Sequence, residues 1–228
     1  MLELDSTAFL SPATALYALT AAILNLDLKY VFELDTFINR SYGGQLQFLT
    51  ILGVVFSYIT VTIGLMGHIM DSQSLIATKN RFLLIAAPVE VLISVLYGSI
   101  FLYDKKLLVP DNIDAVLPPL VDFGLHGAPS ILLLVDYFVF TSNWIIHPAA
   151  TFVLYSSLGV GYWFWTQKTY AMNGFYPYPL LEIVTTPQRI GIFAVSIIIL
   201  FSIYLTLRKI HMAIHGKKLP VPIQEKAK

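Results

Sequence analysis

The sequence has 228 residues, of which 57% are hydrophobic and 12% are charged. Soluble domains carry about 25% charged residues, so this chain has too little charge to cover a water-exposed globule of its size. The formal net charge is zero and the basic residues are scattered, which argues against a nucleic-acid surface. There is no cysteine, which excludes disulfides, thiolate metal sites and cysteine nucleophiles.

Six apolar runs follow one another along the chain, each near the roughly 20 residues needed to cross a bilayer. They lie at about 8–28, 45–69, 82–103, 119–140, 147–167 and 189–208. This pattern predicts an all-α polytopic membrane protein, a bundle of about six transmembrane helices that forms one domain over residues 1–215. Residues 216–228 are rich in lysine and are expected to form a flexible cytoplasmic tail. The acidic N-terminal segment has no Lys or Arg, so no cleavable signal peptide is expected.

The charges between the runs predict the topology. Six spans place both termini on one side, where Lys and Arg outnumber those on the other side by eight to six, with Lys79 and Arg81 counted as loop residues. The positive-inside rule then favours cytoplasmic termini. The aromatic segment 162–165 at the end of the fifth run is typical of an interfacial belt. His211 and His215 follow the last run among basic residues and are interpreted as solvated or headgroup-facing rather than metal-binding.

Two carboxylates lie well inside apolar runs, where an ionisable side chain needs a partner or water. Glu90 follows Pro88 in the third run, and Asp136 lies deep in the fourth. Each could belong to a functional site or form a helix-packing hydrogen bond. His68 and Asp104 lie at the ends of runs, where an interfacial position is the simpler explanation.

His126 differs from these residues because of its neighbours. Asp122 precedes it by four residues, so on a helix both side chains share one face and the carboxylate could orient the imidazole as a general base. Gly124 and Gly127 leave room for close approach of another helix or a substrate. Pro129 disrupts the backbone ladder and could open a pocket.

Thr50 is the hydroxyl that such a base could activate. It lies about 8 Å into the second run, and His126 lies about 10 Å into the fourth, counted from the same side of the membrane. If the two helices are neighbours, a hydroxyl and an imidazole meet, which is the minimum for nucleophilic acyl transfer. The alternative is that Thr50 only bonds back to its own helix, as threonine commonly does in membrane helices.

Three short blocks resemble a known family, the androgen-induced and androgen-dependent transmembrane proteins. The blocks are Tyr-Gly-Gly at 42–44 followed by Phe-Leu-Thr at 48–50, Gly-Leu-His at 124–126, and Tyr-Pro-Tyr-Pro-Leu-Leu-Glu at 176–182. Their order and spacing on the same hydropathy frame carry the resemblance, which is to a fungal-type member. In the animal members Asn-His precedes the histidine triplet, whereas Asp122-Phe123 stands here.

The resemblance implies a membrane threonine hydrolase that cleaves fatty acid esters of hydroxy fatty acids. It assigns the nucleophile to Thr50 and the second essential residue to His126, with no cofactor and no metal. The lipid substrate and the bilayer are the expected partners, with no protein partner, and the endoplasmic reticulum or another endomembrane is the expected location. Supporting positions are Asp122, Gly43, Gly44, Tyr176, Tyr178, Glu90 and Asp136, of which the glycines and tyrosines are considered as oxyanion donors.

A non-catalytic transporter or lipid-binding protein is the alternative. In that case Glu90, Asp122, His126 and Asp136 would form a path for protons or solute through the membrane. A hydrolase instead requires Thr50 and His126 to share a pocket that a lipid can enter. The two hypotheses therefore make different demands on the fold.

Overall fold

The computed structural model describes residues 11–108, 117–141 and 147–216. Most of the predicted cytoplasmic tail and the first residues of the first apolar run lie outside the described residues. Residues 109–116 and 142–146, in the loops after the third and fourth runs, also lie outside the described residues.

The described residues form helices joined by short turns. These are α1 (Pro12–Glu33), α2 (Phe37–Arg40), α3 (Leu49–Ile69), α4 (Gln73–Asp104), α5 (Pro119–His126), α6 (Ala128–Val135), α7 (Pro148–Asn173), α8 (Pro179–Ile183) and α9 (Thr186–His215). Short 3₁₀ helices cover Gly44–Gln47 and Lys105–Leu107, and a π-helical turn covers Asp136–Phe140. No strand occurs in these parts of the chain, so the prediction of an all-α fold is confirmed.

Four helices are long and apolar enough to cross a membrane: α1, α3, α4 with its following turn, and α9. A fifth candidate is the pair formed by α5 with α6 and its π-helical turn, which is bent by 45° at one break. Helix α7 covers the fifth apolar run with 26 residues but is not among these candidates. The protein is therefore a polytopic membrane protein, with four or five candidate spans in the described residues against about six predicted.

The helix starts follow ordinary capping chemistry. The Ser11 hydroxyl accepts the Thr14 N–H at 3.1 Å, and Pro12 occupies the first turn of α1, where its missing N–H costs nothing. Thr185 and Gln188 form a reciprocal capping box at the start of α9.

The core lies where α1, α3 and α4 pack together with α6. Tyr17, Leu24, Val54, Leu83 and Leu133 are all buried there. A second cluster joins α7 to α9 and α4 through four buried residues. These are Leu92, Tyr155, Leu200 and Tyr204.

Two charge interpretations made from the sequence are wrong. Lys79 is not a loop residue, because α4 begins at Gln73 and buries it to 1% exposure. His211 is not solvated, because α9 continues to His215 and leaves His211 only 2% exposed. Its Nε2 lies 2.5 Å from the Thr141 carbonyl oxygen, and His215 Nε2 lies 2.8 Å from the Phe138 carbonyl oxygen. Both side chains therefore tie α9 to the end of the fourth apolar run.

Candidate active site

Thr50 and His126 line one cavity of about 770 Å³. Its wall is formed mostly by aliphatic and aromatic side chains, which come from helices α1, α2, α3, α4, α5, α7, α8 and α9. A volume of this size falls within the roughly 300–1,000 Å³ range of ligand pockets. The two residues paired from the sequence therefore share a pocket that suits an apolar ligand.

The segment before Thr50 depends on glycine. Gly43 has a φ of +82°, in the left-handed region that residues other than glycine rarely adopt. A Cβ at this position would also lie 3.1 Å from the Trp165 ring. The chain turns at this point into the 3₁₀ helix Gly44–Gln47 and then into α3, whose second residue is Thr50. The glycines of the Tyr-Gly-Gly block therefore shape the turn that leads to Thr50.

Aromatic side chains of α7 hold this turn in place. The Trp165 indole N–H donates to the Leu46 carbonyl at 2.9 Å, and the Tyr162 hydroxyl donates to the Gln47 carbonyl at 3.0 Å. The aromatic segment predicted as an interfacial belt thus contacts protein backbone directly. It positions the start of α3.

Tyr178 completes the surroundings of Thr50. Its hydroxyl accepts the N–H of Leu49 at 3.0 Å, and the residue that caps α3, Phe48, offers no side-chain hydrogen bond of its own. The same hydroxyl also contacts the backbone and side chain of Thr50 and the Tyr162 hydroxyl. Burial raises the pKa of the Tyr178 phenol above its ordinary value, so the group is neutral near pH 7 and keeps a proton to donate.

His126 is oriented by Asp122 through two acceptors. Its Nδ1 lies 3.0 Å from the Asp122 backbone oxygen and 3.1 Å from the Asp122 carboxylate oxygen. Both atoms accept hydrogen bonds, which places the proton on Nδ1 and leaves the lone pair on Nε2. This is the tautomer that a general base facing a hydroxyl requires.

Tyr97 of α4 contacts both Asp122 and His126. Its ring stacks on the His126 imidazole with 3.6 Å between centroids and 5° between planes, and its hydroxyl donates to the Asp122 carboxylate at 2.6 Å. Tyr97 also lines the cavity. Sequence reasoning missed this residue, because one more aromatic side chain in an apolar run gives no signal of a functional role.

The bend after His126 is stabilised by hydroxyl groups. Ser94 Oγ donates to the His126 carbonyl at 2.5 Å, and Ser130 Oγ donates to the Gly127 carbonyl at 2.8 Å. Both carbonyl groups lie in the bend between α5 and α6, where the helical hydrogen-bond ladder is interrupted. These two hydroxyl groups therefore help to hold the end of α5, which carries His126 into the cavity wall.

The other supporting positions lie away from the cavity wall. Glu90 accepts the Ser57 hydroxyl at 2.7 Å, and Asp136 forms an ion pair with Lys79 at 2.7 Å. The Tyr176 hydroxyl donates to Gln167 and accepts from Arg189. Of the seven supporting positions, Asp122 and Tyr178 line the cavity. The five that do not are Gly43, Gly44, Glu90, Asp136 and Tyr176.

Among the described residues, no three His, Asp or Glu side chains form a group that could hold a metal ion.

Comparison with known proteins identifies the family. The family described as FAR-17a/AIG1-like protein matches residues 13–212, nearly all of the described chain. The chain belongs to the FAR-17a/AIG1-like family. The resemblance to the androgen-induced proteins is thereby confirmed.

Two relatives extend this comparison. An UPF0641 membrane protein of Schizosaccharomyces pombe is 36% identical over 177 residues, which cover 78% of this chain and 79% of the relative. The androgen-induced gene 1 protein of Homo sapiens is 23% identical over 184 residues, covering 73% and 76% respectively. No solved structure matches. The FAR-17a/AIG1-like match includes all the residues of the cavity described above.

Proposed function

We propose that this protein is a membrane hydrolase that cleaves fatty acid esters of hydroxy fatty acids. Thr50 is the nucleophile and His126 is the general base. The observation that carries the proposal is that both residues line one largely apolar cavity, with the His126 tautomer set by Asp122. Family membership and the apolar wall both suit a substrate with two long acyl chains.

The reaction begins with attack of the Thr50 hydroxyl oxygen on the ester carbonyl. His126 Nε2 takes the hydroxyl proton as the new C–O bond forms, and the Asp122 carboxylate stabilises the resulting imidazolium. Collapse of the tetrahedral intermediate breaks the original ester bond, and His126 returns the proton to the departing alcohol, the hydroxy fatty acid. Water activated by His126 then attacks the acyl-threonine and releases the fatty acid.

Hydrogen-bond donors beside Thr50 stabilise the oxyanion of the tetrahedral intermediate. The Tyr178 hydroxyl lines the cavity and carries a proton, and it accepts the Leu49 N–H, which has no acceptor within α3. This contact leaves the Tyr178 proton to be donated to the oxyanion. A helix N-terminus also offers a positive end of the macrodipole to a developing negative charge. We assign the oxyanion site to this corner of the cavity rather than to Gly43 and Gly44.

The proposed location is the membrane of the endoplasmic reticulum, with both termini in the cytosol. The family resemblance supports the compartment, and the Lys and Arg distribution supports the orientation. The burial of Lys79 removes one charge from the cytosolic count, so the lysines of the tail carry the remaining asymmetry.

Hydrolysis by the purified protein tests this function. In neutral detergent, a fatty acid ester of a hydroxy fatty acid is offered to wild type, Thr50→Val and His126→Gln. Each substitution should reduce kcat/KM by about 10³-fold or more, because each removes a member of the nucleophile–base pair.

The matched control is Thr60→Val, a buried threonine of the same helix whose hydroxyl donates to the Phe56 carbonyl and does not line the cavity. Its activity should stay near wild type, and size-exclusion profiles and thermal midpoints should show that all variants are folded. A wild type that hydrolyses no ester in a broad panel, or folded Thr50 and His126 variants with full activity, would remove the assignment. The transporter or lipid-binding alternative would then take its place.

A further inference from the structure

Positive charge is concentrated at one part of the cavity wall. Within the described part of the chain, the charged residues that line the cavity are Lys105, Lys106, Asp122 and the ionisable His126. Asp122 is already engaged by the Tyr97 hydroxyl and by His126. The two lysines are adjacent in the chain and place two ammonium-bearing side chains on a wall that is otherwise mostly apolar.

The lysines lie at an exposed edge of the cavity wall. Both are exposed, and they form the short 3₁₀ helix that follows α4. Lysine at the end of a membrane helix extends its ammonium group to the interface while its aliphatic stem covers apolar surface. The neighbouring Asp104 carboxylate accepts the Lys106 backbone N–H at 3.0 Å, and Asp104 does not line the cavity.

The lysines are separated from the catalytic pair along the axis of α4. Lys105 follows Tyr97 by eight residues, a distance of about 12 Å along a helix. Tyr97 stacks directly on His126, so the backbone of the lysines lies about 12 Å along α4 from the level of the proposed base. An acyl chain that lies along this wall would therefore run from the lysines to the catalytic pair.

We propose that Lys105 and Lys106 form a carboxylate-binding site and act as specificity-determining residues of the hydrolase. They bind the free carboxylate of the hydroxy fatty acid portion while its ester lies at Thr50 and His126. This inference rests on the proposed function, since it assigns a second recognition point to the same cavity. Anionic lipid esters are then preferred over neutral esters of equal chain length.

The first test measures binding and needs no catalysis. Oleate and methyl oleate are titrated onto the purified full-length protein in neutral detergent that contains no anionic lipid. The double variant Lys105→Gln/Lys106→Gln should bind oleate about 10-fold more weakly and methyl oleate unchanged, since only the carboxylate interaction is lost. Lys105→Arg/Lys106→Arg should keep wild-type affinity, because arginine also pairs with carboxylates.

The matched control is Lys29→Gln, which removes an exposed lysine that does not line the cavity. It should leave the affinity for both ligands unchanged. An unchanged oleate affinity in the double glutamine variant overturns the proposal. An equal loss of affinity for oleate and methyl oleate also overturns it, because the lysines would then act on packing rather than on charge.

A kinetic test uses an ester substrate and its carboxyl methyl ester. Wild type should show a KM about 10-fold lower for the free acid, and the double glutamine variant should lose this preference with little change in kcat. If wild type hydrolyses neither compound while oleate binding still requires the lysines, the proposed function fails and the carboxylate site stands. If hydrolysis is intact with no preference for the free acid, the lysine proposal fails alone.

An anionic lipid headgroup could supply the same negative charge. Protein is therefore reconstituted into phosphatidylcholine bilayers with and without phosphatidylglycerol. The double glutamine variant is compared with wild type for ester hydrolysis in both kinds of bilayer. If its hydrolysis differs from wild type only in the bilayers with phosphatidylglycerol, and its oleate affinity is unchanged, the lysines contact headgroups and the proposal is overturned.

Discussion

At the scale of single residues, the contact between Asp122 and His126 defines the base. The imidazole Nδ1 is shared between the Asp122 backbone oxygen and carboxylate, at 3.0 and 3.1 Å. The backbone oxygen does not depend on the identity of residue 122. The tautomer of His126 is therefore expected to survive a change of this side chain.

Asp122→Asn separates orientation from charge. The substitution restores the asparagine that precedes the histidine triplet in the animal proteins that the sequence resembles. We expect kcat/KM to fall by no more than about 10-fold, since the amide oxygen and the backbone oxygen still accept from Nδ1. Asp122→Leu should cost about 100-fold, because it also leaves the Tyr97 hydroxyl without its acceptor.

Steady-state kinetics of both folded variants checks this prediction. A loss in Asp122→Asn as large as in Asp122→Leu would mean that stabilisation of the imidazolium by the carboxylate charge contributes more to the reaction than orientation of the ring. A thermal midpoint for each variant separates these effects from loss of folding.

Local spacing in the sequence predicted the contact between Asp122 and His126 but not the contacts made by Tyr97 and Tyr178. A separation of four residues on a helix indicates a shared face, and Asp122 and His126 do share one. Tyr97 reaches them from α4, and contacts between helices far apart in sequence leave no periodic signal. The proximity of Thr50 to Tyr178 likewise depends on how the loop before α8 folds back, so the sequence supplied only a guess for Tyr178.

At the scale of helices, α1 and α5 approach closely at Gly124. A Cβ at this position would lie 2.1 Å from an Asp27 carboxylate oxygen, far inside van der Waals contact. Asp27 is 8% exposed and belongs to α1, so a side chain at position 124 would displace a buried carboxylate. Glycine at 124 is thus favoured by packing between helices rather than by backbone conformation.

Gly124→Ala should lower the free energy of unfolding by about 3 kcal/mol, through overpacking at this contact. Thermal unfolding in detergent measures the change. Gly98→Ala on α4 is the matched control, because nothing lies within 4 Å of a Cβ there. The pair Gly124→Ala/Asp27→Ala should recover most of the loss, and a Gly124→Ala protein as stable as Gly98→Ala would contradict the described packing.

The sequence predicted the helices better than their ends. The apolar run 82–103 marked the centre of α4, but its first two turns carry polar residues and looked like a loop. They can be helical at this depth because Asp136 supplies a buried partner for Lys79. A break near Pro129 was foreseeable, since proline removes a backbone donor, and the chain bends at Gly127, two residues before it. The angle of 45° depends on the packing of α5 and α6.

At the scale of the whole molecule, a second polar centre joins helices far apart in sequence. The Lys79 ammonium group donates to both Asp136 carboxylate oxygens, at 2.7 and 2.9 Å, and Tyr17 donates to the same carboxylate at 2.8 Å. The Lys79 and Asp136 side chains are each 1% exposed. This centre links α1, α4 and the π-helical turn, and none of its three residues lines the cavity.

Lys79→Met should destabilise the protein by about 3–5 kcal/mol, because it leaves the Asp136 carboxylate buried without its cation. The double variant Lys79→Met/Asp136→Leu should recover much of this loss, since an apolar pair carries no unpaired charge. Thermal midpoints of both variants and of Lys29→Met, which removes an exposed lysine, test the prediction. A Lys79→Met protein with a wild-type midpoint would show that the ion pair does not stabilise the fold.

The composition and the six apolar runs were enough to predict an all-α membrane protein. They could not predict the cavity, because its wall combines residues from eight helices whose mutual packing has no counterpart in hydropathy. They could not predict the buried ion pair either, since Lys79 and Asp136 are 57 residues apart. Family motifs supplied the link between Thr50 and His126 that spacing alone left open.

The central claim is that Thr50 forms a covalent acyl intermediate in this cavity, and one measurement tests it most directly. The purified protein is treated with a long-chain activated carbamate, whose carbonyl is attacked by the nucleophile with loss of a phenol and whose adduct hydrolyses slowly. Peptide mass spectrometry then locates the adduct. We expect the label on Thr50, inhibition of hydrolysis in proportion to labelling, and no label in Thr50→Val. Full inhibition with the adduct on another residue, or with wild-type labelling in Thr50→Val, would contradict it.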